Sequence, residues 1–286
     1  LLGSHKATIR PVEIKGSALV TGASRGIGRA VAVELAARGF DTVATMRNPA
    51  DGSDLAEGHE GRLRVARLDV TDPDSYQLPD DLRVLVNNAG VDSDYLPFEH
   101  SDLDDWRALL ETNVLGVVGL TTAAIPVLRA NRPGVICNVS SSSILASVPF
   151  YSAYRATKAA VSAMGDSLRV ELAPSGIRVV EILPGPVDTD MFQLSTGDQA
   201  ATRFDRYRPM ADVAARLRRE TADPQVATPE DAARLIVDAI LDDDGPMRYG
   251  CDPLSIGLLE LWRQADDETM YEMTGKSLLD MVESGD

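Results

Sequence analysis

Thr21-Gly22-Ala23-Ser24-Arg25-Gly26-Ile27-Gly28 stands between a short apolar segment, Ser17 to Val20, and an alanine- and valine-rich stretch with helical spacing. That context predicts a strand, a glycine turn and a helix start, a geometry that presents backbone N–H groups and a helix N-terminus to a pyrophosphate. Gly22 permits the tight turn, Gly26 lets the backbone approach the phosphates, and Gly28 allows close packing of helix on strand. A side chain at any of the three would collide with ligand or sheet.

Outward from this turn, β-branched apolar runs recur at residues 18–21, 42–45, 63–68, 84–86, 135–139 and 177–183, with a last short one at 247–250. Helical patterns at 26–38, 103–110, 114–129, 152–172, 211–220 and 229–241 separate most of them and are long enough for crossover connections. Thr228-Pro229-Glu230-Asp231 is a helix start by composition, with a capping hydroxyl, a proline in the first turn and acids at the positive dipole end. The alternation predicts an α/β fold around a parallel sheet covered on both faces.

The chain has 286 residues, with 28 Lys plus Arg against 44 Asp plus Glu and a formal net charge of −16. This excludes a broad basic surface for nucleic acid or anionic membrane, so cofactor phosphates need locally placed basic groups. The two cysteines, Cys137 and Cys251, suggest neither a disulfide framework nor a metal site. No window approaches 18 consecutive apolar residues and the first residues carry no signal-peptide core, so a cytoplasmic protein is the expectation. Residues 1–15 are read as an N-terminal extension, with Leu1 to His5 a tag remnant, and 16–286 as one domain.

Further along the chain come Asn87-Asn88-Ala89-Gly90, Asn113, a serine cluster at 140–143, Tyr154-x-x-x-Lys158 and Pro184-Gly185. Together with the glycine turn they resemble the classical short-chain dehydrogenase/reductase family over roughly residues 15–250. The resemblance implies a Rossmann-type doubly wound parallel sheet of about seven strands with helices on both faces. It also implies a bound nicotinamide dinucleotide and, through pairing of the helices that carry Asn113 and Tyr154, a homodimer or homotetramer.

By the same resemblance, Asp69 and Val70 hold adenine, and Asn88, Ala89 and Gly90 accommodate the ribose. In Pro184-Gly185-Pro186-Val187-Asp188-Thr189, Val187 and Thr189 orient the carboxamide. Where NAD-preferring relatives end the second strand in an acid, this chain has Ala44-Thr45-Met46-Arg47. Arg47 beside Arg25 would pair with a 2′-phosphate through charge-assisted hydrogen bonds, so NADP(H) is the expected cofactor.

Tyr154 and Lys158 are four apart in a continuous helical pattern and project from one face. A phenol titrates near ~10, so acid/base work near neutrality requires its anion to be favoured by about three units, roughly 4 kcal/mol. A lysine ammonium together with the positive nicotinamide ring, in a desolvated cleft, can supply energy of that order. Ser141 lies thirteen positions before Tyr154, the interval typical of the family, and the resemblance implies that it holds a substrate carbonyl oxygen, with Ser140, Ser142 and Ser143 as immediate competitors. Tyr151 is a rival phenol without a lysine four residues on. Asn113 resembles the family asparagine that anchors a proton-relaying water.

The expected reaction is hydride transfer between nicotinamide and a ketone carbon, with Tyr154 as proton donor. Residues 44–48, 149–158 and 247–250 loosely resemble the hydroxysteroid and retinol dehydrogenase branch, which implies a steroid-, retinoid- or aryl-ketone-like substrate, and the Met-, Phe- and Tyr-bearing loop suits a bulky apolar ketone. A non-catalytic dinucleotide sensor and an alcohol dehydrogenase working oxidatively are the alternatives.

Three segments depart from the pattern or extend it. Between Asp69 and Val84 the family usually carries a crossover helix, whereas Asp72-Pro73 and Leu78-Pro79-Asp80-Asp81 predict a short helical turn and a partly uncovered sheet face. Residues 190–228 are expected to be a substrate-covering loop. Residues 252–286 form an extension that either caps the cleft or packs on a second subunit.

Overall fold

The computed structural model describes residues 14–59, 61–196 and 200–284; the N-terminal extension expected at 1–15 lies almost entirely outside them. Seven strands, β1 (Ser17–Val20), β2 (Asp41–Met46), β3 (Leu63–Arg67), β4 (Leu82–Asn87), β5 (Gly134–Val139), β6 (Ile177–Leu183) and β7 (Arg248–Gly250), form one sheet in the order β3-β2-β1-β4-β5-β6-β7. All pairings are parallel. The chain reverses its direction of travel across the sheet between β1 and β4, which opens a crevice beyond their C-terminal ends.

Period-two alternation sends successive strand residues to two different cores. Val20, Ala44 and Val86 pack with α1 (Gly26–Arg38) and α7 (Pro229–Leu241). Leu19, Val43 and Leu85 pack on the other face with α3 (Gly116–Ala130) and α4 (Ser152–Leu172). The central strands are buried on both sides, and each fully buried aliphatic side chain contributes about 1.5–3 kcal/mol. Thr228 caps α7 as its composition predicts, accepting from the Asp231 N–H.

The connection from β3 to β4 holds a single 3-10 turn, Pro73–Ser75. Tyr76 occupies part of the space a crossover helix would fill. Its hydroxyl donates to the Val70 carbonyl at 2.6 Å and lies against Gly119, where an added Cβ would come within 3.0 Å of it. The cover is incomplete: on β3, Arg64 is exposed and Val65 and Ala66 are half-buried.

Before α3, α2 (Leu103–Leu110) continues through a π-helical turn, Glu111–Leu115, giving one helix over Leu103–Ala130. By length and composition alone this helix could cross a membrane, although it holds no run of 18 consecutive apolar residues. Val117, Leu120, Ala124 and Leu128 pack it on the sheet, while Leu110, Leu115 and Val118 remain exposed.

In the segment expected to cover the substrate, α6 (Arg208–Ala222) contains the helix expected at 211–220, and α5 (Asp190–Thr196) is a further helix that was not expected. After β7 come α8 (Pro253–Gln264), α9 (Asp267–Tyr271) and α10 (Ser277–Ser284). The capping box of Asp252 and Ser255 starts α8, and α10 packs on α6.

Candidate active site

One cavity of about 700 Å³ lies beyond the C-terminal ends of β1 and β4. Every residue expected at the cofactor lines it, as do Ser141, Tyr154 and Lys158. Asn113 stands behind the wall.

At the glycine turn, Gly22 and Gly26 have φ of 63° and 56°, the left-handed region that favours glycine. A Cβ on Gly22 would come within 2.8 Å of the Ala89 Cα, and one on Gly28 within 2.5 Å of the Gly22 carbonyl oxygen. Gly28 therefore serves the packing of the turn itself as much as that of helix on strand. Asn88 locks the turn from β4, its Nδ2 donating to the carbonyls of Thr21 and Gly22 at 2.9 and 3.2 Å. No side chain caps α1, so its first N–H groups stay open to an anion.

Toward the adenosine end, Arg47 follows β2 directly, is exposed, and lines the cavity. Arg25 lines it too, but its guanidinium is paired with Asp190 at 2.8 Å. Asp69 accepts hydrogen bonds from the Thr71 N–H and hydroxyl at 3.0 and 2.9 Å. The backbone bond in particular holds its carboxyl below the usual range.

At the reaction end, α4 presents Tyr154 and Lys158 one turn apart, both buried. Lys158 Nζ donates to the Val139 carbonyl at 3.0 Å and lies 5.5 Å from the Tyr154 ring centroid. Burial lowers the ammonium to about 8, with Asp92 and Glu181 opposing. The protein groups around the phenol act on it without the nicotinamide charge. Burial pushes Tyr154 well up, Asp92 and Tyr95 add to this, and only a hydrogen bond with Ser141 and the charge of Arg218 oppose it. The protein's own groups thus keep the phenol protonated rather than acidify it.

The serine cluster divides by its partners. Ser140 donates to the Lys158 carbonyl, and Ser142 is buried with its N–H on the Pro184 carbonyl. Ser141 shares a hydrogen bond with Ser143 at 2.9 Å and is the one next to the Tyr154 hydroxyl. Asn113, in the π turn, uses its whole amide on neighbours. It accepts from the Val91 N–H and donates to the Val91 carbonyl and the Thr157 hydroxyl. A Cβ on Gly90 would touch both Asn113 Oδ1 and Lys158 Nζ, so the two side chains flank one point of the backbone.

Beyond β6, the Gly185 N–H donates to Asp252 at 2.6 Å, and an added Cβ there would meet the same carboxylate at 2.7 Å. Val187 forms a bridge to Ala227, and the Thr189 methyl lies opposite Gly26. From above, residues of α6, α8 and α10 reach the cavity, among them Leu217, Leu258 and Leu278.

The sequence model of the family described as short chain dehydrogenase matches residues 16–200. The chain belongs to that family.

The chain is 37% identical over 196 residues to sulfoacetaldehyde reductase 2 of Chromohalobacter salexigens, covering 64% of this chain and 78% of that protein. It is 34% identical over 192 residues to the 3-oxoacyl-acyl-carrier-protein reductase of Salmonella typhimurium, again 64% and 78%. Among solved structures, a short chain dehydrogenase from Burkholderia cenocepacia in complex with NADP superposes with a TM-score of 0.71 at 25% identity, covering 91% of this chain and 98% of that one. One from Streptomyces avermitilis gives 0.71 at 30% identity, with 91% and 97% covered.

Three residues of the cavity, Asp92, Tyr95 and Arg218, had no role in the sequence reading, and Tyr151 had only that of a rival phenol. Asp92 accepts from the Tyr151 hydroxyl at 2.7 Å; the Tyr151 ring stacks on Tyr154 at 4.7 Å and on Tyr95 at 4.2 Å; Arg218 lies over Tyr95 at 4.6 Å. Asp92, two residues past Gly90, was the one with a readable signal: a carboxylate next to a dinucleotide motif. Asp252, which ties the extension to Gly185, gave a second through its Asp-Pro helix start.

Proposed function

We propose that this dehydrogenase uses NADP(H) to interconvert a ketone and a secondary alcohol, acting chiefly in reduction of a bulky, largely apolar carbonyl compound. The convergence of Ser141, Tyr154 and Lys158 on the cavity at the sheet's crossover point carries the reading. The glycine cradle that a Cβ would fill and the uncapped start of α1 fit a dinucleotide pyrophosphate. Arg47, standing where a ribose-binding acid would be, supports the 2′-phosphate form, and neighbours such as the Burkholderia protein are complexes with NADP.

A reduced nicotinamide bound there supplies hydride to the carbonyl carbon. Ser141 holds the carbonyl oxygen, and Tyr154, kept protonated by burial, donates its proton as negative charge develops on that oxygen. Lys158 keeps a positive charge beside the phenol, and Asn113 fixes the Val91 backbone behind it. Relatives named as reductases support the direction. Met191, Phe192, Leu217, Leu258, Met273 and Leu278 supply apolar surface for the substrate, making the helices α5, α6, α8 and α10 and the turn at Met273 its cover.

We place the protein in the cytoplasm, where buried Cys137 and Cys251 stay as free thiols. A second copy would pack on the exposed face of Leu103–Ala130.

Oxidation of NADPH and NADH in the presence of aryl and aliphatic ketones tests the proposal. Tyr154→Phe should lower kcat at least about a thousandfold while leaving NADPH affinity within a few-fold. Arg47→Asp should weaken NADPH more than NADH. Retained turnover in the first variant, or an unchanged cofactor ratio in the second, refutes the corresponding assignment.

A further inference from the structure

The mechanism leaves two buried donors in the cavity wall without partners. Tyr95 is 5% exposed and lines the cavity; its hydroxyl is near enough to Arg218 and Tyr151 to feel both, yet no partner meets it at full hydrogen-bond geometry. Beside it, Nη1 of Arg218, projecting from α6, is shielded from solvent and equally unpaired. The guanidinium carbon lies 4.6 Å from the Tyr95 ring centroid and 5.9 Å from that of Tyr151, so the charge is in place and oriented by the rings. Buried donors without acceptors are each costly by about 1–3 kcal/mol, and more when charged. Two side by side mark a place where a ligand provides the acceptors.

The charge balance of the cavity favours an anion there. At the adenosine end Arg25 is matched by Asp190. At the reaction end Lys158 and Arg218 face Asp92 as the single lining acid. Asp92 Oδ1 already accepts from the Tyr151 hydroxyl and the Ser93 N–H. One positive charge is left over. A guanidinium and a phenol offer donors only to a partner with several lone pairs, and a carboxylate meets both through charge-assisted bonds.

We propose that Arg218 and Tyr95 form a carboxylate-binding subsite, so that the substrate is an oxo acid whose ketone lies at Tyr154 and whose acid group lies one aromatic ring away, beyond Tyr151. The inference rests on the assignment of Tyr154 as the proton donor and narrows the substrate class of that same site. The apolar lining then receives the spacer between ketone and acid. Because Arg218 is on the helix that covers the cavity, the acid group also fastens the cover over the reacting carbonyl, which excludes water from the developing charge.

The test compares 4-oxo-4-phenylbutanoate and 5-oxo-5-phenylpentanoate with their methyl esters, in NADPH oxidation and in calorimetric binding to the NADP⁺-loaded enzyme. At least one acid should exceed its ester by about tenfold in kcat/KM, the difference lying in KM, as expected for one charged contact. Arg218→Met should bring the ratio close to one, Arg218→Lys should keep part of it, and Tyr95→Phe should reduce it a few-fold with the ring stack intact. Acids reduced no better than esters, or a ratio that survives Arg218→Met, overturn the subsite while leaving the carbonyl reductase reading in place. If neither acids nor esters turn over, that reading falls, and calorimetry decides the subsite alone. Tighter binding of an acid than of its ester, lost in Arg218→Met and partly kept in Arg218→Lys, supports it; equal affinities overturn it.

Discussion

Asp92 stands close to both ionisable partners of the reaction. Its charge raises the Lys158 ammonium against the lowering effect of burial, and raises the Tyr154 phenol further. Replacing it by the isosteric amide removes both influences, and both changes have the same sign. Lys158 loses its proton at lower pH, and Tyr154 becomes more acidic. Since reduction needs the ammonium and the protonated phenol, the alkaline limb of kcat/KM in Asp92→Asn should move to lower pH than in the unmodified enzyme, where the Lys158 pKa is about 8. A limb that stays in place or moves up removes Asp92 from the electrostatics of the site. Tyr154, Lys158 and Ser141 were legible in the sequence because one helical turn and one strand-to-helix span bring them together. The Asp92, Tyr95, Tyr151 and Arg218 group was not. It joins three separate segments, and only the folding of α6 over the cavity makes them neighbours.

The strand-turn-helix at β1 and α1 is the element on which the cofactor site is built, and Gly28 is its tightest point. In Gly28→Ala the new methyl must displace the Gly22 carbonyl or the Asn88 side chain. Overpacking of this kind destabilises by about 1–3 kcal/mol, which lowers Tm by roughly 2–4 °C per kcal/mol in a protein of this size class. NADPH affinity should fall along with it, since the carbonyl that moves belongs to the phosphate-facing turn. A variant with unaltered Tm and affinity would show that the turn has slack. The strands were readable from apolar runs, and the missing crossover from Pro73 and Pro79. The π turn at Asn113 was not readable, because one additional residue in a helix leaves the apolar spacing on either side intact. Helices α8 to α10 were legible only as an extension, with nothing local to say which surface they cover.

Once the extra residue of the π turn is counted, Leu103, Leu110, Leu115 and Val118 fall on one outer face of the long helix. Such a stripe on a chain of net charge −16 sets two forces against each other: apolar burial draws copies together and like charge holds them apart. Size-exclusion chromatography should therefore show a dimer or larger, with the larger species favoured as ionic strength rises and the Debye length falls. Leu115→Glu with Val118→Glu should elute as a monomer, whereas an unmodified protein that is monomeric at every salt concentration leaves this face without a partner. A second long-range tie runs inside the molecule, where Arg25 of the glycine turn meets Asp190 at the head of α5. Exposed pairs of this kind contribute at most about 1 kcal/mol. A phosphate that takes Nη1 of the Arg25 guanidinium must displace Asp190 from it. By thermodynamic reciprocity, the few-fold affinity forgone at the turn reappears as the same factor by which α5 is loosened, giving the two ends of the cleft a small and symmetric negative cooperativity.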